Sequence, residues 1–153
     1  MEDYEKKRER AFGPLKNTYM DEEIAKTKNL ISLQEQYIAE IKEYLASDEP
    51  EIKKYGAIID ADSGVITNYD EMMDKQIAKY NAEIEKAGTN EKAQEAAEKA
   101  YELFIKALEN YEDTYAAYLD ELAKLQDLQN EKIDKELEHI QDRLDAKLEL
   151  EAD

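Results

Sequence analysis

The chain has 153 residues, a formal net charge of −18 and no cysteine. These facts exclude a disulfide scaffold and a thiolate metal site, and they set the protein against nucleic-acid phosphates and anionic membrane surfaces. Ala, Glu, Lys, Leu and Arg supply about half of the residues, with four Gly and two Pro to interrupt them, which is the composition of long helices and coiled coils.

Residues 1–14 read as a charged N-terminal segment. Lys6, Lys7, Arg8 and Arg10 are offset by Glu2, Asp3, Glu5 and Glu9, and the opening Met1-Glu2-Asp3-Tyr4-Glu5 has no apolar signal-peptide core. Gly13-Pro14 separates this segment from a first long helix, expected over about 17–46. Ile24, Ile31, Ile38 and Leu45 recur every seven residues there, and Leu30, Tyr37 and Tyr44 repeat beside them. The resulting stripe is wider than a two-stranded seam needs, as for a helix that touches more than one neighbour. Thr27 and Gln34 fall on the same face, where polar groups fix register at some cost in stability.

Ser47-Asp48-Glu49-Pro50 ends that helix, because the residue before proline avoids the helical region. Two short β-branched runs, Ala57-Ile58-Ile59-Asp60 and Val65-Ile66-Thr67, flank an Asp/Ser/Gly turn and predict a small β-hairpin at about 57–67. Asn68 with Glu71 three residues later reads as a capping box that opens a second helix, about 68–87. Its seam is Met73, Ile77, Tyr80, Ile84 and Ala87, and Gly88 closes it.

The third helix, expected over about 90–145, carries the most regular pattern. Ala97, Tyr101, Phe104, Leu108, Tyr111, Tyr115, Tyr118, Leu122 and Leu125 alternate spacings of four and three, and Tyr101, Phe104, Leu108 and Tyr111 are expected to be the most buried stretch. The rhythm then slips. Leu122 to Ile133 is eleven residues, after which Leu137, Ile140 and Leu144 resume it, in the manner of a stutter that unwinds a left-handed supercoil. Lys147 to Asp153 alternate polar and apolar and predict a strand-like tail; the pattern stops in mid-course, as in a segment of something longer.

The expected fold is therefore all-α: an elongated antiparallel helical bundle or coiled coil over residues 15–153, with one very long C-terminal helix and the hairpin at one end. The first two helices are expected to pack along the N-terminal part of the third. Beyond about residue 118 the third helix would outrun them, leaving Leu122, Leu125, Ile133, Leu137, Ile140 and Leu144 as candidate interface residues. Self-association is the simplest cover for them. From Asn130 onward nine Asp and Glu stand against four Lys and Arg, so a parallel self-pair is opposed at low salt and association should strengthen as salt screens that repulsion.

No catalytic or cofactor residues are assigned. His139, the single histidine, has charged neighbours at helical spacing and reads as a surface residue. The segment from Asp60 to Glu71 places Asp60, Asp62 and Glu71 at positions 1, 3 and 12 of a calcium loop, but its glycine arrives one residue early and Gly64 occupies a ligand position. An Asp-rich turn beside a helix start explains the same letters more simply. The tyrosines of the third helix lie on its seam, where core packing accounts for them better than a ligand cage.

The run from Tyr55 to Asp60, the run Gly64-Val65-Ile66-Thr67-Asn68-Tyr69-Asp70-Glu71, and the later Gln129–Ile133 and Leu144–Leu150 segments resemble coiled-coil parts of tape-measure-like and internal structural proteins of gut bacteriophages. That resemblance implies a structural or scaffolding role in a virion or tail assembly, in the virion or the host cytoplasm. Its partners would be other copies or assembly proteins, with no enzymatic activity, nucleic acid or membrane involved. A bacterial coiled-coil adaptor without a phage connection is the alternative.

Overall fold

The computed structural model describes residues 14–152, with side chains from 18 to 150. The fold is all-α. Three α-helices, α1 (Pro14–Ala46), α2 (Tyr69–Ala87) and α3 (Glu91–Ala152), are joined by one 3-10 helix, Glu51–Tyr55, and a folded loop. Most of the charged segment expected at 1–14 lies outside the described residues. Pro14 itself begins α1 rather than preceding it, because proline at a first helical position gives up an N–H that has no intrahelical partner anyway. At the other end α3 does not turn into a strand-like tail: it stays helical through Ala152. Neither Gly nor Pro occurs after Gly88 to stop it. Among the described residues no helix is long and apolar enough to cross a membrane.

The contacts divide the chain into two compact units, Met1–Tyr37 with Glu121–Asp153, and Ile38–Asp120. The second holds most of the apolar core. Phe104 and Ile52 are fully buried, and Met72, Leu45, Ala97, Ala107, Leu108, Tyr111 and Tyr118 lie close to that limit. Tyr101 is only half-buried, its ring tilted against Tyr80 at 5.1 Å between ring centroids and against Phe104 at 6.1 Å. Tyr55 packs on the same phenylalanine from the 3-10 helix at 5.4 Å. α2 is turned slightly from its expected seam: Met72 is its buried residue and Ile77 is 40 % exposed. The amide of Gln76 takes the inward place, donating to the Tyr55 carbonyl at 3.3 Å.

The hairpin expected at 57–67 does not form. Residues 56–68 make a loop with one antiparallel bridge, Ile59 to Ile66, and no strand. Asp60 N–H bonds the Val65 carbonyl at 2.9 Å and Thr67 N–H bonds the Ile58 carbonyl at 2.8 Å, after which the ladder ends. Ile58 and Val65 point outward and are exposed, so no apolar layer rewards a longer ladder. Asn68 is spent on the same loop. Its Oδ1 accepts the Ile58 N–H at 2.7 Å and its Nδ2 donates to the Gly56 carbonyl at 2.8 Å. The side chain therefore makes no cap bond to α2, and the expected capping box is replaced by a latch across the loop base.

Gly64 seats the loop on the helices. Its φ of +77° is one that residues with a Cβ rarely adopt, and a Cβ there would lie 3.3 Å from Leu45 Cδ1 and from the Tyr115 ring. The buried Tyr111 hydroxyl donates to the Gly64 carbonyl. Burial, and secondly the neighbouring Tyr115, push the Tyr111 phenol up from 10.0 to about 12. A raised folded-state value means that the neutral phenol stabilises the fold below pH 10 and that this contribution is lost as pH climbs toward 12.

Two outcomes follow for this unit. Leu108→Ala, at a position 5 % exposed, should cost about 2–5 kcal/mol in chemical denaturation. Tyr111→Phe leaves a buried carbonyl without its donor and should cost about 1–3 kcal/mol. The same variant should flatten the alkaline fall in stability between pH 10 and about 12, read by thermal melts across that range.

Candidate interaction surface

In the unit formed by residues up to 37 and from 121, α1 and α3 lie side by side and antiparallel. Three polar contacts set their register. Gln34 donates to the Glu121 carbonyl at 3.0 Å and to its carboxylate at 2.6 Å. Lys135 donates to the Thr27 hydroxyl at 3.1 Å, and that hydroxyl donates in turn to the Glu23 carbonyl at 3.0 Å. His139 Nε2 lies 3.0 Å from Asp21 Oδ1, close but not aligned as a hydrogen bond. The Gln34 bond first, and the Lys124 bond second, hold the Glu121 carboxyl below its ordinary value of 4.5.

The inward row of α1 is Met20, Ile24, Thr27, Ile31 and Gln34, at unbroken spacings of four and three. The inward row of α3 is equally regular: Glu121, Leu125, Leu128, Lys132, Lys135, His139 and Asp142, every one at least half-buried. So the third helix shows no slip in the row that meets α1. What slips is the chemistry of that row. After Leu128 it becomes polar, and the apolar residues move round the helix. Ile133, Leu137, Ile140 and Leu144 sit about 100–160° from His139 at 100° per residue and are 50, 59, 54 and 50 % exposed.

This corrects two expectations. α1 does not stop short of the C-terminal half of α3; it covers that half through polar contacts. His139 is 7 % exposed rather than a surface residue, because continuing the 4–3 rhythm from Leu125 places it on the inward row. Of the six candidate interface residues, Leu122 and Leu125 are half-buried and the other four form a continuous exposed stripe. A second apolar strip lies on α1, where Leu30, Leu33 and Tyr37 are 37, 62 and 50 % exposed at spacings of three and four. Leu33 was legible by its spacing from Leu30, and it extends the second apolar row that the sequence showed.

Two of the three calcium candidates, Asp60 and Glu71, are otherwise engaged. Asp60 Oδ1 accepts the N–H of Asp62 at 2.8 Å and of Ser63 at 3.4 Å, which makes it a turn former. Glu71 pairs with Lys75 at 3.2 Å, one turn along α2. Among the described residues no three acidic or histidine side chains gather as metal ligands would. A cleft of about 300 Å³ between the Pro50 corner and α3 has Glu49, Glu51, Tyr44 and Tyr111 as its ionisable groups, and Tyr111 is already committed to Gly64.

Calcium at millimolar concentration should leave the melting temperature unchanged, in the parent and in an Asp60→Ala, Asp62→Ala variant alike. A calcium-dependent rise in the parent that this variant abolishes would show that the loop binds the ion.

No family model matches the chain, and no curated protein and no solved structure matches it either.

Proposed function

We propose that the chain is a structural, scaffolding component of a bacteriophage virion or tail assembly, acting as an antiparallel helical bundle or coiled coil through protein contacts and without enzymatic activity. The observation that carries this reading is the exposed stripe Ile133, Leu137, Ile140 and Leu144. Four large aliphatic side chains at helical spacing are costly to leave in water, at roughly 1.5–3 kcal/mol each on full burial, so they call for a protein partner. The net charge of −18 supports a protein partner over nucleic acid or an anionic membrane. The phage assignment rests on the resemblance of the Gly64–Glu71 and Leu144–Leu150 segments to phage coiled-coil proteins.

The gene should lie among tail, portal or capsid genes, and the polypeptide should be found by mass spectrometry in purified particles, in the virion rather than only in the host cytoplasm. Unrelated cellular neighbours and a chain absent from particles would reject the phage reading in favour of a bacterial adaptor.

A further inference from the structure

We propose that the exposed stripe of α3 is a homodimer interface in which two copies of the helix pair antiparallel about a two-fold axis passing between Glu138 and His139. This deepens the structural reading above by naming one occupant for its exposed face, a second copy of this chain.

The first argument is symmetry. The spacings from Ile133 through Leu137 and Ile140 to Leu144 are four, three and four, which read the same in either direction. Reversing a second helix about the centre of the stripe sets Ile133 against Leu144 of the partner subunit and Leu137 against Ile140 of the partner subunit. Each contact is then made twice, as an isologous interface requires. All four side chains are at least half-exposed, and they sit well round the helix from the row that meets α1, so a second helix can reach them with the α1 contacts kept.

The second argument is charge. Glu136 and Arg143 flank the stripe on one side, at positions that face each other only when the second helix is reversed. Each Glu136 then opposes Arg143 of the partner subunit, giving two inter-subunit ion pairs. Glu136 now shares a 3.4 Å contact with Lys132 of its own helix, leaving one carboxylate oxygen for the new partner. On the other flank Asp134 opposes Gln141 of the partner subunit, a carboxylate against an amide that at present donates to Asp145 at 3.0 Å. No like charges meet on either flank. A parallel pair instead sets Glu136 against Gln141 and Arg143 against Leu148, and so loses both ion pairs. For a stretch with nine acids and four bases, orientation is decided by these flanks, because the apolar layers are satisfied either way.

The test is sedimentation equilibrium of the full chain from about 1 µM to 1 mM, with circular dichroism melts at a dilution where the chain is monomeric. The parent should show a monomer–dimer equilibrium. Leu137→Asp with Ile140→Asp should abolish it while leaving helix content unchanged, since both sites are more than half-exposed. Glu136→Arg alone and Arg143→Glu alone each convert both ion pairs into repulsions and should weaken the dimer about tenfold. The double swap, E136R with R143E, should bring the dissociation constant back to within about threefold of the parent. A monomer at every concentration overturns the proposal, as does a dimer that survives the two aspartates or a swap that adds its two losses instead of restoring the pair. A strict monomer that is nonetheless present in purified particles would reject this pairing alone. A dimer that passes the swap but is missing from particles would reject the virion assignment alone.

Discussion

In the unit that holds the exposed stripe, the consequence-bearing constraint is the polar register between α1 and α3. Gln34 on Glu121, Thr27 under Lys135 and Asp21 beside His139 tie the two antiparallel helices together. Apolar rows alone tolerate sliding by a heptad. The bond from Gln34 to the Glu121 carboxylate does not, because seven residues to either side α3 offers Thr114 or Leu128 and the half-buried amide loses that acceptor. These contacts are not strong as stabilisers. Lys135 also pairs with Glu131 at 3.0 Å and both groups keep some access to water, so each contributes little net energy. Their effect is to decide which side of α3 is used, and therefore which side is left.

The other unit is organised by a different device. There the core is aromatic and aliphatic, centred on Phe104, Ile52 and Met72, and what needs fixing is a loop with almost no ladder of its own. Gly64 allows the backbone to lie against Leu45 and Tyr115 without a clash, and the Tyr111 hydroxyl holds its carbonyl. The loop is thus held from below by α3 and from within by the Asn68 latch and the Asp60 turn. The tyrosine-rich seam gains a purpose beyond bulk: one hydroxyl reaches past the packed ring to satisfy a main-chain acceptor.

Much of this was legible in the sequence. The heptads of α1 and of α3 up to Leu125, the break at Pro50 and the cap at Gly88 all follow from period and from glycine or proline chemistry, which are local. Thr27 and Gln34 were legible as register-setting residues because a polar group in an apolar row is conspicuous. Two of the failures share one cause. The turn of α2 that buries Met72 and exposes Ile77 and the use of Asn68 as a latch depend on distant partners, Tyr55 and Gly56 respectively. The burial of His139 was within reach of the sequence, by carrying the 4–3 rhythm on from Leu125. The hairpin letters were real, but a ladder needs a packed face, and the outward Ile58 and Val65 have none. The apolar stripe of α3 was legible as a stripe; that it is not the face meeting α1 required knowing that Lys132, Lys135 and His139 are.

Since the chain has no native cysteine, engineered pairs report the α1–α3 register without background. Thr27→Cys combined with Lys135→Cys should be joined within one chain by a thiol-reactive cross-linker about as long as the lysine side chain it replaces, since it is the Lys135 ammonium that reaches Thr27, while Thr27→Cys combined with Leu137→Cys should not be joined. Efficient closure of the second pair and failure of the first would mean that α1 lies on the apolar stripe, and the account of which face α3 leaves exposed would be wrong.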